Sequence, residues 1–257
     1  MTRVARALFH TEAGLPVPAV SVAEMREIDR VAAEQTGPGL LQMMEHAGMG
    51  LALTALEMLG AAWPGARVIV LAGTGGNGGG GICAARHLAN RGLRVLVVTV
   101  RAPAQADGTL GQQFLALGES PARVIRWSEA FDAASADLVI DAVIGYGLEG
   151  EPRAAQMALI RAANGSGTPV LSLDVPSGVD ADSGRTPGAA VRAHRTLTLA
   201  LPKRGLNPES AGELWLQDLG IPPGVYARAG IAFEPLFGPS DRARLRYPAS
   251  GEPGGPR

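Results

Sequence analysis

The chain has one cysteine, Cys83, so no disulfide framework can support it and a reducing compartment is the default. Aromatic residues make up only 4%, too few for base-stacking platforms. Neither sign of charge predominates: 23 Lys and Arg against 24 Asp and Glu leave a net charge of −1. That balance excludes a nucleic-acid binder working by bulk electrostatics. Lysine is almost missing, and Lys203 is the one lysine among the basic residues. No apolar run suits a membrane span: the most apolar stretch, residues 47–63, holds Glu57 and follows Glu45 and His46, which reads as a buried helix. Residues 1–20 carry Arg3, Arg6 and Glu12 and lack the apolar core of a signal peptide. The expectation is a cytoplasmic protein with neither a membrane nor a nucleic acid as partner.

What is abundant is apolar residues, 46% of 257, and glycine, 35 in number. This composition builds one large domain with ample core. Ser21-Val22-Ala23-Glu24 has capping-box spacing, and Val22, Met25, Ile28 and Ala32 continue at helical intervals to about Gln35. A second, mostly apolar helix is expected over 40–59, after the break at Gly37-Pro38-Gly39. Short continuous apolar runs then follow at 67–72, 93–100, 123–127, 138–141, 170–174, 196–199 and 214–216. Helical segments at about 82–91, 109–117 and 152–163 alternate with several of them. Strands buried on both faces and alternating with helices imply a parallel sheet covered on both sides. The fold expected is α/β: a Rossmann-like three-layer αβα sandwich with a mostly parallel sheet and two N-terminal helices. Residues 19–247 form the domain in this reading, with 1–18 and 248–257 as loose ends.

Ligands of such sheets sit beyond the carboxyl ends of the strands. Four strand ends carry polar or glycine-rich segments. Gly73 to Gly81 sets seven glycines around a single amide, Asn77, and leads into a helix, which suits close approach to a phosphate. Asp141 to Gly150 is an acidic strand end with a glycine-rich turn, able to hold a cation or a hydroxyl, or simply to cap the loop. Ser172-Leu173-Asp174-Val175-Pro176-Ser177-Gly178 places Asp174 near the sheet centre, where partial burial would tune it for acid/base work. Leu201-Pro202-Lys203 carries the lone lysine, where a compact ammonium replaces the planar guanidinium used everywhere else. His10, His46, His87 and His194 show no metal-ligand spacing.

These four segments, in this order, resemble the NAD(P)H-hydrate epimerase family, the YjeF N-terminal domain. The likeness runs from Met25-Arg26-Glu27-Ile28-Asp29 through Met44-Glu45-His46-Ala47-Gly48 to Gly212-Glu213-Leu214. It implies a Rossmann-like sandwich, often a homodimer, that interconverts the R and S forms of hydrated NADH or NADPH, a metabolite-repair reaction. It also implies a separate NAD(P)H-hydrate dehydratase acting on the S form, for which 257 residues leave no room. Family members bind K+, and by position its ligands are Asn77, Asp141 and Ser177. The substrate contacts carried over are Gly76, Asn77, Gly78, Gly79 and Gly80, the run Gly145, Tyr146, Gly147, Leu148, Glu149, Gly150 and Glu151, and Asp174. Asp174 is the implied acid/base residue, and Lys203 is grouped with the substrate-binding residues.

The chain departs from the family pattern at several of these positions. Gly76 and Gly80 stand for an Asn and an Asp, Tyr146 for the Thr common in bacterial members, His46 for an Asn and His194 for an Asp. Two alternatives follow. The losses at 76 and 80 suggest a non-catalytic nucleotide-binding or scaffold module on the same fold. The G-x-G-x-x-G spacing of Gly73 to Gly78, with Arg101 after the second strand, suggests an NADP-dependent oxidoreductase.

Overall fold

The structure, a computed structural model, describes residues 8–128 and 130–248. Seven parallel strands form its centre: β3 (Arg67–Ala72), β4 (Arg94–Thr99), β5 (Arg123–Arg126), β6 (Leu138–Ala142), β7 (Val170–Leu173), β8 (Arg195–Leu199) and β9 (Glu213–Gln217). Their continuous apolar runs are needed because both faces are covered. In β3, Val68 and Val70 point to one face and pack with α2 (Leu40–Leu59), α3 (Gly76–Ala89) and α4 (Gly108–Gly118). Ile69 points to the other and packs with Leu159, Ile160 and Ala163 of α5 (Ala154–Gly165). The Rossmann-like three-layer reading holds.

The first helix, α1 (Val22–Val31), starts at the expected capping box. Glu24 N–H donates to Ser21 Oγ at 3.2 Å and Ser21 N–H donates to Glu24 Oε2 at 2.8 Å. A π turn, Ala32–Thr36, extends it close to the expected end. Two short helices not foreseen, α6 (Pro208–Ala211) and α7 (Pro223–Arg228), follow β8 and β9.

Two expectations need correction. Residues 8–18 are not loose: β1 (Leu8–Thr11) and β2 (Pro16–Pro18) form an antiparallel hairpin. β1 pairs with β10 (Arg242–Arg246), which pairs with β9. The hairpin is held because it buries Phe9 and Val17 completely. Residues 1–7 and 249–257 of the expected loose ends lie outside the described residues. Second, α3 begins at Gly76 and not near Ile82, so most of the glycine run is helix. Close packing explains it. A Cβ on Gly79 would lie 2.5 Å from Met44 Sδ, and one on Gly81 would lie 2.5 Å from Ala142 Cβ. Glycine lets α3 press against α2 and the sheet at once.

The strand order β2-β1-β10-β9-β8-β7-β6-β3-β4-β5 reverses between β3 and β6. From β3 the chain builds outward to β4 and β5, then returns to β6 and builds the other way. The crevice at the carboxyl ends of β3 and β6 is therefore the switch point where open α/β sheets take their ligands.

Candidate active site

A cavity of about 510 Å³ opens at this switch point, lined by Gly76 and Asn77 at the start of α3, Gly145, Tyr146 and Gly147 after β6, and Asp174 after β7. Gly145 is where the three segments meet. A Cβ built on it would stand 3.2 Å from Asn77 Oδ1 and 3.3 Å from Asp174 Oδ2. The absence of a side chain there lets an amide and a carboxylate converge.

Asp174 has φ +66°, in the left-handed region, and Ala200 has φ +61°. Each is the middle of a three-residue turn: Val175 N–H donates to Leu173 O at 2.9 Å, and Leu201 N–H to Leu199 O at 2.7 Å. Neighbouring parallel strands β7 and β8 thus both end in the rarer, strained form of γ-turn, a type of outlier found at functional sites. The turns lock together. Asp174 Oδ1 accepts from Leu199 N–H at 3.3 Å and from Lys203 Nζ, and Lys203 also donates to Leu199 O at 2.8 Å. Lys203 is 1% exposed and Asp174 3%. The Asp174 carboxylate is therefore a buried, ion-paired group with one oxygen, Oδ2, turned to the cavity side, where it accepts from Tyr146 N–H at 3.3 Å.

Asp141 and Ser177 lie beneath this floor, both fully buried. Asp141 accepts from Ser177 Oγ at 2.5 Å, Ser177 N–H at 2.9 Å, Ser172 Oγ at 2.8 Å and Val143 N–H at 3.3 Å. Burial pushes its carboxyl pKa up, against the lowering by these hydrogen bonds. The Nδ2 atom of Asn77 is buried with no hydrogen-bond partner. As placed, Asn77 presents an oxygen toward the Asp174 side. Turning the amide over would set its N–H groups toward a carboxylate and give the buried position an oxygen.

Of the residues expected from the sequence, the cavity wall includes Gly76, Asn77, Gly145, Tyr146, Gly147 and Asp174. Gly78, Gly79 and Gly80 are buried in the packing of α3 and do not line it. Leu148, Glu149, Gly150 and Glu151 continue the loop away from it, Glu149 pairing at 3.1 Å with Arg26. Lys203 stands behind Asp174. The sequence reading missed Arg26 and Asp29 of α1, which also line the cavity. Asp29 Oδ2 accepts from the Tyr146 hydroxyl at 2.5 Å. Burial pushes the Asp29 carboxyl up, with Tyr146 and Lys203 pulling it down and Asp174 adding to the rise. The tyrosine's own pKa is pushed up by burial and by Asp29. The signal available was Asp29 standing one turn after Met25 in a helix already known to be amphipathic, but nothing tied that helix to the strand ends.

A second polar cluster, Glu45, Cys83 and His87, brings three ligand-type atoms within 4.8 Å of one another between α2 and α3. Arg86 occupies it, donating to Glu45 Oε1 at 2.5 Å. Burial, with the Glu45 charge, pushes the Cys83 thiol up to about 12, so the thiolate is not the resting form.

The pattern of the YjeF-related protein N-terminus matches residues 40–205. A protein of Dehalogenimonas lykanthroporepellens named NAD(P)H-hydrate epimerase is 52% identical over 233 residues, 87% of this chain and 90% of that one. One of the same name from Truepera radiovictrix is 37% identical over 227 residues, 88% of this chain and 100% of that one. A bifunctional NAD(P)H-hydrate repair enzyme of Hyperthermus butylicus is 41% identical over 207 residues, 77% of this chain but 37% of that longer protein. The crystal structure of a yeast protein, 22% identical, has the same fold, with a TM-score of 0.78 over 89% of this chain and 100% of that one. These names favour neither the scaffold nor the oxidoreductase alternative. By its matched pattern and its relatives, the chain belongs to the YjeF-related N-terminal family.

Proposed function

We infer that the protein is an NAD(P)H-hydrate epimerase, an isomerase interconverting the R and S forms of hydrated NADH or NADPH. The convergence of Asn77, Gly145 and Asp174 on one cavity at the switch point carries this reading, together with 52% identity to a relative of that name. Hydration of a dihydropyridine ring puts a hydroxyl on a carbon bonded to the ring nitrogen. Inverting that carbon requires the C–O bond to break and re-form from the other face. Asp174 is the proton-transfer residue for this. Its Oδ2 side meets the cavity, while the Lys203 ammonium fixes Oδ1 and the γ-turn fixes the backbone. The first N–H groups of α3, at Gly76, Asn77 and Gly78, are available to the diphosphate. The Gly79 N–H is already taken by Gly75 O at 3.1 Å, so the first turn of α3 is the part of the glycine run that serves the substrate.

Asn77, Asp141 and Ser177 supply an amide, a carboxylate and a hydroxyl, the oxygen donors a hard monovalent cation takes. With the Asn77 amide turned over, the unpartnered buried atom is an oxygen, and that oxygen, with the buried Asp141 carboxylate, supports K+ there. Bound K+ would offset negative charge beneath the site. The protein acts alongside a separate NAD(P)H-hydrate dehydratase, as a cytoplasmic homodimer. No described helix is long and apolar enough to cross a membrane.

The test is a stereochemically resolved assay on the R hydrate with potassium present. The wild type should accelerate epimerisation well above the uncatalysed rate, and Asp174→Asn should lose about 100-fold or more in kcat. A folded wild type giving no acceleration removes the reading.

A further inference from the structure

Tyr146 joins two carboxyl groups across the cavity. Its backbone N–H donates to Asp174 Oδ2 at 3.3 Å, and its hydroxyl donates to Asp29 Oδ2 at 2.5 Å. The two acids are thus separated by the length of one tyrosine, on different walls of the same cavity: Asp174 on the sheet floor and Asp29 on α1. Neither is at rest in the same way. Asp174 is held by the Lys203 ammonium, whereas Asp29 has no cationic hydrogen-bond partner among the described residues. Two carboxyl groups set apart, with room between them and different neighbours, are the arrangement by which acid and base act on opposite faces of one carbon.

We propose that Asp29, hydrogen-bonded to Tyr146, is the second proton-transfer group of this site, acting on the ring face opposite to Asp174. The proposal rests on the epimerase reading. In one direction Asp29 gives its proton to the ring hydroxyl. The C–O bond breaks, water leaves, and the ring nitrogen's lone pair forms an iminium. Water then adds to the same carbon from the Asp174 side and gives a proton to Asp174. The site ends with the proton on the other carboxyl, ready for the reverse conversion, or exchanges it with solvent for another turnover in the same direction. One water is lost and one gained, and nothing is oxidised or reduced.

The active state then holds one proton between the two acids, and activity falls on the alkaline side as that proton is lost. Burial, which favours the neutral Asp29 carboxyl, sets where this limb lies. The groups facing Asp29 are Tyr146 and Asp174 from the strand-end loops, Lys203 behind them and Tyr226 from α7, while Arg26 on its own helix acts on Tyr146. Of these, the Tyr146 hydrogen bond is the chief one lowering its pKa.

The experiment measures kcat and KM against pH for the wild type, Asp29→Asn, Tyr146→Phe and, as a control on the solvent side of α1, Glu27→Gln. Asp29→Asn should lower kcat about 100-fold, leave KM within a few-fold, and abolish the alkaline limb. Tyr146→Phe keeps the ring and removes one hydrogen bond. It should move the alkaline limb to higher pH, a shift that a packing role would not produce. Glu27→Gln should match the wild type. Wild-type kcat with an unmoved alkaline limb in Asp29→Asn or Tyr146→Phe overturns the proposal while leaving the epimerase reading standing. Because Tyr146→Phe is read independently, a poorly folding Asp29→Asn does not protect the proposal. No wild-type acceleration at all overturns both.

Discussion

Lys203 is the residue whose replacement should disturb the molecule most. It is buried, ion-paired with a buried carboxylate, bonded to the Leu199 carbonyl, and 5.7 Å from the centre of the Tyr146 ring. A compact ammonium can reach a carboxylate and a carbonyl in different directions, whereas a guanidinium's donors lie in one plane. This explains why a chain that uses arginine elsewhere keeps a lysine here. Removing one partner of a buried pair leaves the other charge uncompensated, so Lys203→Met should destabilise by about 3–5 kcal/mol. Asp174→Asn combined with Lys203→Met should cost clearly less than the sum of the two single changes. Urea unfolding of the three variants and the wild type measures this, and simple additivity would refute the coupling. At this scale the sequence was informative. Asp174, Asn77 and Lys203 stood out because an acid, an amide and a lone lysine each followed an apolar run. Asp29 did not, because a carboxyl on an amphipathic helix looks like any solvated one.

Glycines in α3 serve two purposes that the sequence could not separate. A Cβ at Gly76 would meet nothing within 4 Å, while one at Gly80 would lie 2.7 Å from Leu173 Cδ2. Restoring the family's residues should therefore have unequal effects. Gly76→Asn should change stability by no more than about 0.5 kcal/mol. Gly80→Asp forces a carboxylate against a core leucine and should cost about 2 kcal/mol or more. Thermal unfolding of both variants distinguishes them, and equal Tm values would contradict the packing described. The run looked like a loop because glycine is a poor helix former. Tertiary packing against α2 and β6 overrides that propensity. The α2–α3 seam also fixes the acid response of the protein. Burial alone would raise the Glu45 pKa, but hydrogen bonds from Gln113 and Arg86, with the Arg86 charge, hold it at about 2 against 4.5 unperturbed. A depressed carboxyl stabilises the fold above about pH 4.5, and that contribution is lost as pH falls toward 2. Glu45→Gln should accordingly show a smaller fall in urea midpoint between about pH 6 and about pH 3 than the wild type. An equal fall would assign the acid sensitivity elsewhere.

In the whole molecule, the two halves of the sheet differ in how they are specified. The parallel strands announce themselves locally, since each is a continuous apolar run beside a helix. The antiparallel extension does not. β1 and β2 span four and three residues, β2 contains two prolines, and β10 reads Arg-Ala-Arg-Leu-Arg. Their pairing joins His10 to Arg246 and Thr11 to Leu245, across nearly the full length of the chain, and no local pattern signals it. The hairpin matters to stability all the same. Phe9 and Val17 are fully buried, and the Phe9 ring lies 5.8 Å from that of Tyr247. A chain beginning at Ala19 loses both side chains from the core and uncovers one edge of β10. Burial of two large apolar side chains contributes about 3–6 kcal/mol as an upper figure, so the truncated protein should unfold at a distinctly lower urea concentration. Sheet-edge self-association should not follow, because Arg242, Arg244 and Arg246 place a charge at every second position of the exposed strand, a device that discourages edge pairing. Urea unfolding together with size-exclusion chromatography tests both halves of this expectation. An unchanged midpoint would mean that the hairpin only decorates the sheet, and oligomers larger than the wild type's that grow with concentration would mean that the hairpin, not the arginines, protects its edge.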